Sequence, residues 1–487
     1  MKKCYALILI LLFCAALLNA QQQPIQRPHL IKLSLNAEEF QSLVAIKFQF
    51  ATKLVKDTAF VIVSDTELDF LKERGFPLTK IMSSPEEIDL FKRALYGKKM
   101  KLHPAYHTYA EILDQVKSYT EEFPDLILMR KIGSTAQDKR DIFAVKISKN
   151  VHQDEDEPAI LFSGAIHSNE VAGVEICMAL MNHLLSNYSK DPEVKKWVDN
   201  NEIWIIPVVN VDGHHIVAQG IDPRQRKNTR DTNKDGRFDY PDGIDLNRNF
   251  DFNWAHGGSG DPLNQRYRGE YPFSEAEARA FRDLALERRF LIAVTFHSQG
   301  EVIFYPWTWR GRKAPDDKLL TRLANGLAGS IKKLDSDSTY VAHYGAATVG
   351  QTYPWLYGEL GTFDFIVETG RGRYIFPPDE LAAIVESNLN GAYFALNLMA
   401  GPGITGHIRD AETGEPLEAE VWLPDIDSED VKRRNSDPRF GRFYRLLEPG
   451  SYRIIVMKQG YRPKIFKDVE VTAKGWQQLE VHLEKFS

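Results

Sequence analysis

Five runs of this sequence are apolar on consecutive positions: DIFAVKIS (141–148), AILFSGAIH (159–167), EIWIIPVVN (202–210), FLIAVTFHS (290–298) and TFDFIVET (362–369). Successive residues of a β-strand point to opposite faces, so such a run is stable only where both faces are covered. Helical patterns lie between the runs. HTYAEILDQVKSY (107–119), for example, opens with Thr108 and Glu111 at the spacing of a reciprocal N-terminal cap. The expectation is an α/β domain over residues 103–400, with a mixed, mostly parallel sheet flanked by helices.

Different patterns flank this region. Residues 21–102 combine β-like runs (LIKLSL, TAFVIVS) with a helical one (DTELDFLKERG) that Gly75 can stop, and predict a small α/β unit. It closes in the basic stretch FKRALYGKKMKLHP (91–104), a linker that is either a solvated loop or a processing site. From 403 to 487 short alternating runs (GHIRD, AEVWL, FYRLL, YRIIVM, DVEVT, LEVHL) are separated by Gly, Pro, Asp and Asn, which predicts an antiparallel β-sandwich.

The first 20 residues are set apart. Lys2 and Lys3 precede ALILILLFCAALL, and small residues follow before QQQ. This is the pattern of a secretory signal peptide cut after Ala20, and it predicts a secreted, periplasmic or extracellular protein. The apolar run is shorter than the roughly 20 residues of a spanning helix. No other segment is long and apolar enough to span a bilayer, so none is expected after cleavage. Export would remove Cys4 and Cys14 and leave Cys177 alone, which excludes an internal disulfide in the mature chain. A net charge of −6 over 487 residues offers no electrostatic case for nucleic acid.

Polar residues stand at the ends of three of the apolar runs. The run at 159–167 closes on His167, with Glu170 three positions on; the run at 290–298 carries His297; the run at 362–369 carries Glu368. A lone His-x-x-Glu occurs often by chance, but strand ends are where open α/β sheets hold their active sites. Two His and one Glu form an established donor set for a catalytic zinc, which keeps one position for water or substrate. Attack by water at neutral pH then needs a base outside that set, and Glu368 is the candidate.

Between these pieces lie RQRKNTR and GIDLNRNFDFNW. Arg226, Asn247 and Arg248 offer cationic and amide donors suited to a carboxylate. An insertion, DTNKDGRFDYPD, fits a calcium loop through Asp231, Asn233, Asp235, Asp239 and Asp242, with Gly236 at the turn; the alternative is a hydrogen-bonded Asx-turn loop.

Taken in order, HSNE, RKN, DLNRNF, YRGEYPFSEAEA, FHSQGEVIFYPW and FIVE resemble the zinc carboxypeptidases of the funnelin, or carboxypeptidase A/B-like, family over about residues 103–400. That resemblance implies zinc on His167, Glu170 and His297, with Glu368 as general base. It implies that Arg226 polarises the scissile carbonyl, and that Asn247 and Arg248 hold the substrate's C-terminal carboxylate. Asp245 would accept a hydrogen bond from His167. The C-terminal sandwich resembles the regulatory-like, transthyretin-like domain of some carboxypeptidases, and residues 21–102 could be a pro-segment. Asn169 stands where many members carry Arg, and Gln299 where some carry Tyr. The tyrosine that closes over substrate is either Tyr344 or Tyr353, with Tyr344 favoured. The implied substrates are peptide or protein C-termini, taken by a monomer. A same-fold endopeptidase or side-chain amidase, acting for instance on peptidoglycan peptides, is the alternative. A non-catalytic secreted binding protein would be expected to lack a donor or the base, and all four are present.

Overall fold

A computed structural model describes residues 27–45, 49–50, 54–85, 87–88, 90–91, 101–236, 238, 242–309, 312–346 and 349–486. The expected signal peptide with Cys4 and Cys14, most of the basic linker, and Asp239 lie outside the described residues. The chain divides into two compact units. One takes the residues up to Lys98 together with Asp231–Gly243 and Asp261–Tyr267; the other takes Lys99–Arg230, Ile244–Gly260 and Arg268–Ser487.

In the first unit, β1 (His29–Ser34), α1 (Ala37–Ala45), β2 (Gln49–Phe50), β3 (Thr58–Val63), α2 (Asp65–Glu73) and β4 (Leu78–Met82) follow in turn. The strands pair antiparallel in the order β2-β3-β1-β4. Ser64 and Glu67 cap α2 reciprocally, and Gly75 follows the helix at φ +75°. Leu68 and Leu71 of α2 pack on Ile31, Leu33, Val61 and Val63 of the sheet.

The second unit opens with α3 (Tyr109–Glu122), β5 (Ile127–Ser134), β6 (Asp141–Ile147), β7 (Ala159–Ser163), α4 (Ala172–Asn187), α5 (Pro192–Asn200), β8 (Glu202–Ile206) and α6 (Val211–Ala218). It continues through α7 (Ala276–Arg288), β9 (Ile292–His297), β10 (Val302–Trp309), β11 (Arg312–Lys313), α8 (Asp317–Ser330), β12 (Val341–Ala346), α9 (Thr352–Trp355), β13 (Phe363–Glu368) and α10 (Pro378–Leu398). Thr108 and Glu111 form the expected reciprocal cap of α3.

The nine strands β5–β13 form one mixed sheet of order β11-β10-β13-β9-β7-β8-β6-β5, with β12 beside β10. Its centre, β13-β9-β7-β8, is parallel, and β12 pairs parallel with β10. The remaining pairs are antiparallel. The consecutive apolar runs are explained by cover on both faces. Ile160, Phe162, Ile203, Ile205, Ile292, Val294, Phe363, Phe365 and Val367 enter one core with α4 and α10. The alternate residues Leu161, Trp204, Ile206 and Ala293 enter another, which Leu246, Phe250 and Trp355 close. Strand parity therefore turns Thr295, His297, Asp364, Ile366 and Glu368 toward the second core.

Beyond α10 come β14 (Gly403–Asp410), β15 (Glu420–Trp422), β16 (Arg434–Asn435), β17 (Arg442–Leu446), β18 (Gly450–Met457), β19 (Lys464–Val471) and β20 (Trp476–Leu483). They form two sheets, β17-β14-β20 and β16-β15-β18-β19, over a core that includes Ile404, Ile408, Val421, Ile454, Val456 and Val481. The pairs are antiparallel except β14 with β20, which runs parallel in register from Gly403 with Trp476 to Asp410 with Leu483. These strands are tied to the larger sheet's helices by buried charge. Asp316 accepts from Arg434 Nη2 at 2.7 Å, Tyr357 Oη at 2.7 Å and Arg445 Nη2 at 3.4 Å, and Arg445 also donates to Asp427 at 2.6 Å. Asp316 and Arg445 are almost wholly buried.

Candidate metal centre

His167 leaves the carboxyl end of β7, and His297 and Glu368 are the last residues of β9 and β13. Since these three strands are parallel neighbours, their carboxyl ends open on one crevice, as ligand sites in open α/β sheets do. The turn that carries His167 and Glu170 is pressed onto that edge. A Cβ on Gly173 would stand 2.9 Å from Phe296 O, and one on Gly164 would stand 2.7 Å from Gly173 O. Only glycine allows α4 to begin this close to β9.

His167 Nδ1 lies 2.9 Å from Glu170 Oε1, His297 Nδ1 lies 2.8 Å from Glu170 Oε2, and the two imidazole nitrogens are 3.1 Å apart. All three side chains are buried. Two ring nitrogens facing each other at that distance around a carboxylate form a donor set that a divalent cation fits, and its composition is that of a catalytic zinc site. Among the described residues this is the only cluster of three such groups within that reach.

The surroundings prepare the donors. Ser298 N donates to Glu170 Oε2 at 3.1 Å. Asp245, fully buried, accepts from His167 Nε2 at 3.2 Å, from Arg226 Nε and Nη2 at 3.1 Å each, and from Asn247 N at 3.0 Å. An imidazole that gives its Nε2 proton to a carboxylate presents Nδ1 as the lone pair. Burial, and then the Arg226 charge, lower the His167 pKa and keep that ring neutral. Burial alone would raise Asp245. The Arg226 and Arg248 charges hold Asp245 well below the usual carboxylate range instead.

Glu368 differs from Glu170. Burial and then the Glu170 charge push its carboxyl up to about 7. It lines a cavity of about 410 Å³ together with the three donors, Arg226, Asn247, Arg248 and Tyr344. The expected site residues of this group thus meet in one place. Asn247 is turned inward: its Nδ2 is 3.3 Å from His297 Nε2, and its Oδ1 accepts from Thr352 N at 2.9 Å. Tyr344 packs on Tyr305 with the rings tilted by 45° and 4.9 Å between centroids, and its hydroxyl accepts from Lys313 Nζ at 2.6 Å.

Several lining residues were not singled out from sequence. Phe304, Gln351 and Ile366 complete the wall beside Tyr353. Tyr374, 40% exposed, stands at the rim near Glu170 and Arg226, in a loop held by Gln299 Oε1, which accepts from Gly372 N at 2.6 Å. The GRGRYIF segment that follows FIVE, with a tyrosine between glycines and an apolar helix start, was the available signal.

The insertion lies in the other unit. Asp231 accepts from Lys234 N at 2.6 Å and Gly236 N at 2.9 Å, Asn233 accepts from Asp235 N at 3.0 Å, and Asp242 accepts from Thr232 N and Oγ1. The loop closes on itself through these Asx-type bonds, with Gly236 at φ +81°.

A family model for zinc carboxypeptidases matches residues 112–391. Carboxypeptidase D of Anas platyrhynchos is 26% identical over 403 residues, which cover 78% of this chain but only 27% of that protein. Carboxypeptidase A4 of Mus musculus is 28% identical over 296 residues, 59% of this chain and 68% of its own length. In fold, the chain is similar to the crystal structure of carboxypeptidase A from Helicoverpa armigera, with a TM-score of 0.57 and 19% identity over 78% of this chain and 98% of that one. Thrombin activatable fibrinolysis inhibitor is similar to the same degree, with a TM-score of 0.57 and 20% identity over 77% and 99% of the two chains.

Proposed function

The chain belongs to the zinc carboxypeptidase family, and from that premise we propose that it is a secreted exopeptidase that removes C-terminal residues from peptides or proteins. The observation that carries the reading is that a buried guanidinium, Arg248, shares one cavity with the His167–Glu170–His297 cluster and with a carboxyl outside it, Glu368. Zinc bound by the three donors would supply Lewis acidity at the scissile carbonyl and lower the pKa of water there.

The chain's own residues do the remaining work. Glu368 takes the proton of the attacking water and returns it to the leaving amine. Arg226, held by two bonds to Asp245, turns its charge to the oxygen on which negative charge grows. Arg248 binds the free C-terminal carboxylate, and Asn247 assists from the adjacent position while bracing His297. Tyr344 is the candidate to close over the bound end.

Arg248→Ala is expected to lower kcat/KM on free C-terminal peptides by at least roughly tenfold, since a charge-assisted contact is typically worth about 1.5–3 kcal/mol. A C-terminal amide on the substrate removes the same contact from the other side. Combining the two should cost less than the product of the single losses, because one contact can be lost only once. Equal cleavage of amidated, internal and free-ended bonds by the unaltered enzyme would replace this reading with an endopeptidase or amidase.

The proposal extends to organisation. Residues 1–20 are a signal peptide, 21–102 an N-terminal unit that could serve as a pro-segment, 103–400 the catalytic domain and 403–487 a regulatory-like domain. It also extends to calcium in the 231–242 loop, for which the D-x-N-x-D-G spacing of Asp231, Asn233, Asp235 and Gly236 is the support. Chelation selective for calcium over zinc is then expected to lower Tm, because a ligand held only by the folded state stabilises it. Asp231→Ala with Asp235→Ala should abolish that response, and an unchanged response would identify a plain Asx-turn loop.

A further inference from the structure

We propose that the substrate's C-terminal side chain is uncharged and apolar, received by a wall of Phe304, Tyr344, Tyr353 and Ile366 with Gln351 as the polar contact. The inference rests on the carboxypeptidase reading and specifies the side chain that its pocket accepts.

Apart from Glu170 and Glu368, which belong to the metal centre, no carboxylate among the described residues lines the cavity. Once Arg248 holds the terminal carboxylate, the substrate's last side chain meets the remaining wall, where Phe304, Tyr344, Tyr353 and Ile366 stand with the uncharged Ser298, Gln299 and Gln351. Tyr353 and Ile366 are 1% and 3% exposed, so contact with them is dry. An apolar side chain gains about 25 cal/mol for each Å² that it buries there. A lysine or arginine side chain would instead lose hydration with no counter-charge.

Two features bear on whether a cation could still be welcomed. The first is the aromatic faces, which attract cations. That of Tyr344 is already occupied, since Lys313 Nζ lies 4.7 Å from its ring centroid and donates to its hydroxyl. An entering cation would meet a like charge behind the ring. The second is Asp364, which shares the inward face of β13 with Ile366 and Glu368. It is fully buried, does not line the cavity, and accepts from Thr295 Oγ1 at 3.3 Å. Burial pushes its carboxyl up to about 7, which weakens it further as a counter-charge.

Gly345 belongs to the same construction. A Cβ there would stand 1.7 Å from the Tyr353 hydroxyl, so the ring of Tyr353 fills the space that a larger residue 345 would take. The tyrosine is thereby fixed as part of the wall.

The test is a series of N-blocked peptides, alike except for a last residue of Phe, Leu, Lys, Arg or Glu, given to the full zinc-loaded chain. Phe or Leu is expected to exceed Lys and Arg by at least roughly tenfold in kcat/KM, the equivalent of ~1.4 kcal/mol. Highest turnover on Lys, Arg or Glu would overturn the inference while leaving the carboxypeptidase reading intact. The same ranking should appear in calorimetric binding of these peptides to zinc-loaded Glu368→Gln, which needs no turnover, and binding led by a charged last residue would also overturn it. Gln351→Glu, a change of nearly equal size, should raise the Lys-to-Phe ratio at least roughly tenfold. An unmoved ratio would remove Gln351 from the pocket that reads the last side chain. Cleavage of internal or amidated bonds at the rate of free ends would be a separate failure, that of the exopeptidase reading.

Discussion

Glu368→Gln is expected to keep zinc at about one per chain and to lose kcat by a factor of at least roughly 10²–10⁴, the usual contribution of general acid–base catalysis. The substitution keeps size and removes basicity, and Glu368 stands outside the three-donor cluster, so metal content has no reason to change. Near-normal turnover with zinc in place would sink the assignment. A pH profile adds a second check. Glu368 acts as a base only when ionised, and burial with the Glu170 charge holds its carboxyl at about 7. A bound divalent cation works in the opposite direction. The acid limb of kcat/KM is therefore expected below about 7, with activity present above it and lost as pH falls through it. In the residual activity of Glu368→Gln that limb should be gone.

His297→Ala is expected to lose both zinc and all measurable turnover. The side chain supplies one of three donors, and without it a single imidazole and a carboxylate remain to hold the ion. Glu170 also loses the 2.8 Å partner that holds its Oε2, although Ser298 N still donates to it. His167→Ala should behave alike and in addition leave Asp245 with one fewer donor. Metal analysis of the two purified variants decides the matter: undiminished zinc in both would mean that the ion sits elsewhere. Circular dichroism at unchanged shape would separate metal loss from unfolding.

Much of the sheet was legible because burial on both faces leaves a mark that no other arrangement needs. Leu161 and Phe162 are adjacent in sequence yet enter different cores, and only a covered strand can afford that. The candidate site was legible for a related reason: His167 and His297 of the cluster, and Glu368 beside it, are polar residues at the ends of apolar runs. What was not legible is the wall of the cavity. Phe304, Gln351 and Ile366 come from strands and loops whose approach depends on the β10–β12 and β10–β13 pairings, and long-range pairing leaves no local periodicity. The parallel pairing of β14 with β20 escaped for the same reason, since alternation reports a half-buried strand but not its direction. The grouping of Asp231–Gly243 with the N-terminal residues is likewise a matter of tertiary contact.

The Asp316 network has a consequence for how such a chain can be divided. Asp316 is served by Arg434 and Arg445 from the C-terminal strands and by Tyr357, which lies four positions beyond Tyr353 of the cavity wall. Deleting those strands would strip a buried carboxylate of both guanidinium partners, a change that typically costs about 3–5 kcal/mol where one member of a buried pair is removed. The terminal sheets are therefore not expected to be removable from this chain as a freely exchangeable cassette. A chain joined to a different partner at the Gly401–Gly403 seam would have to bring its own solution for Asp316.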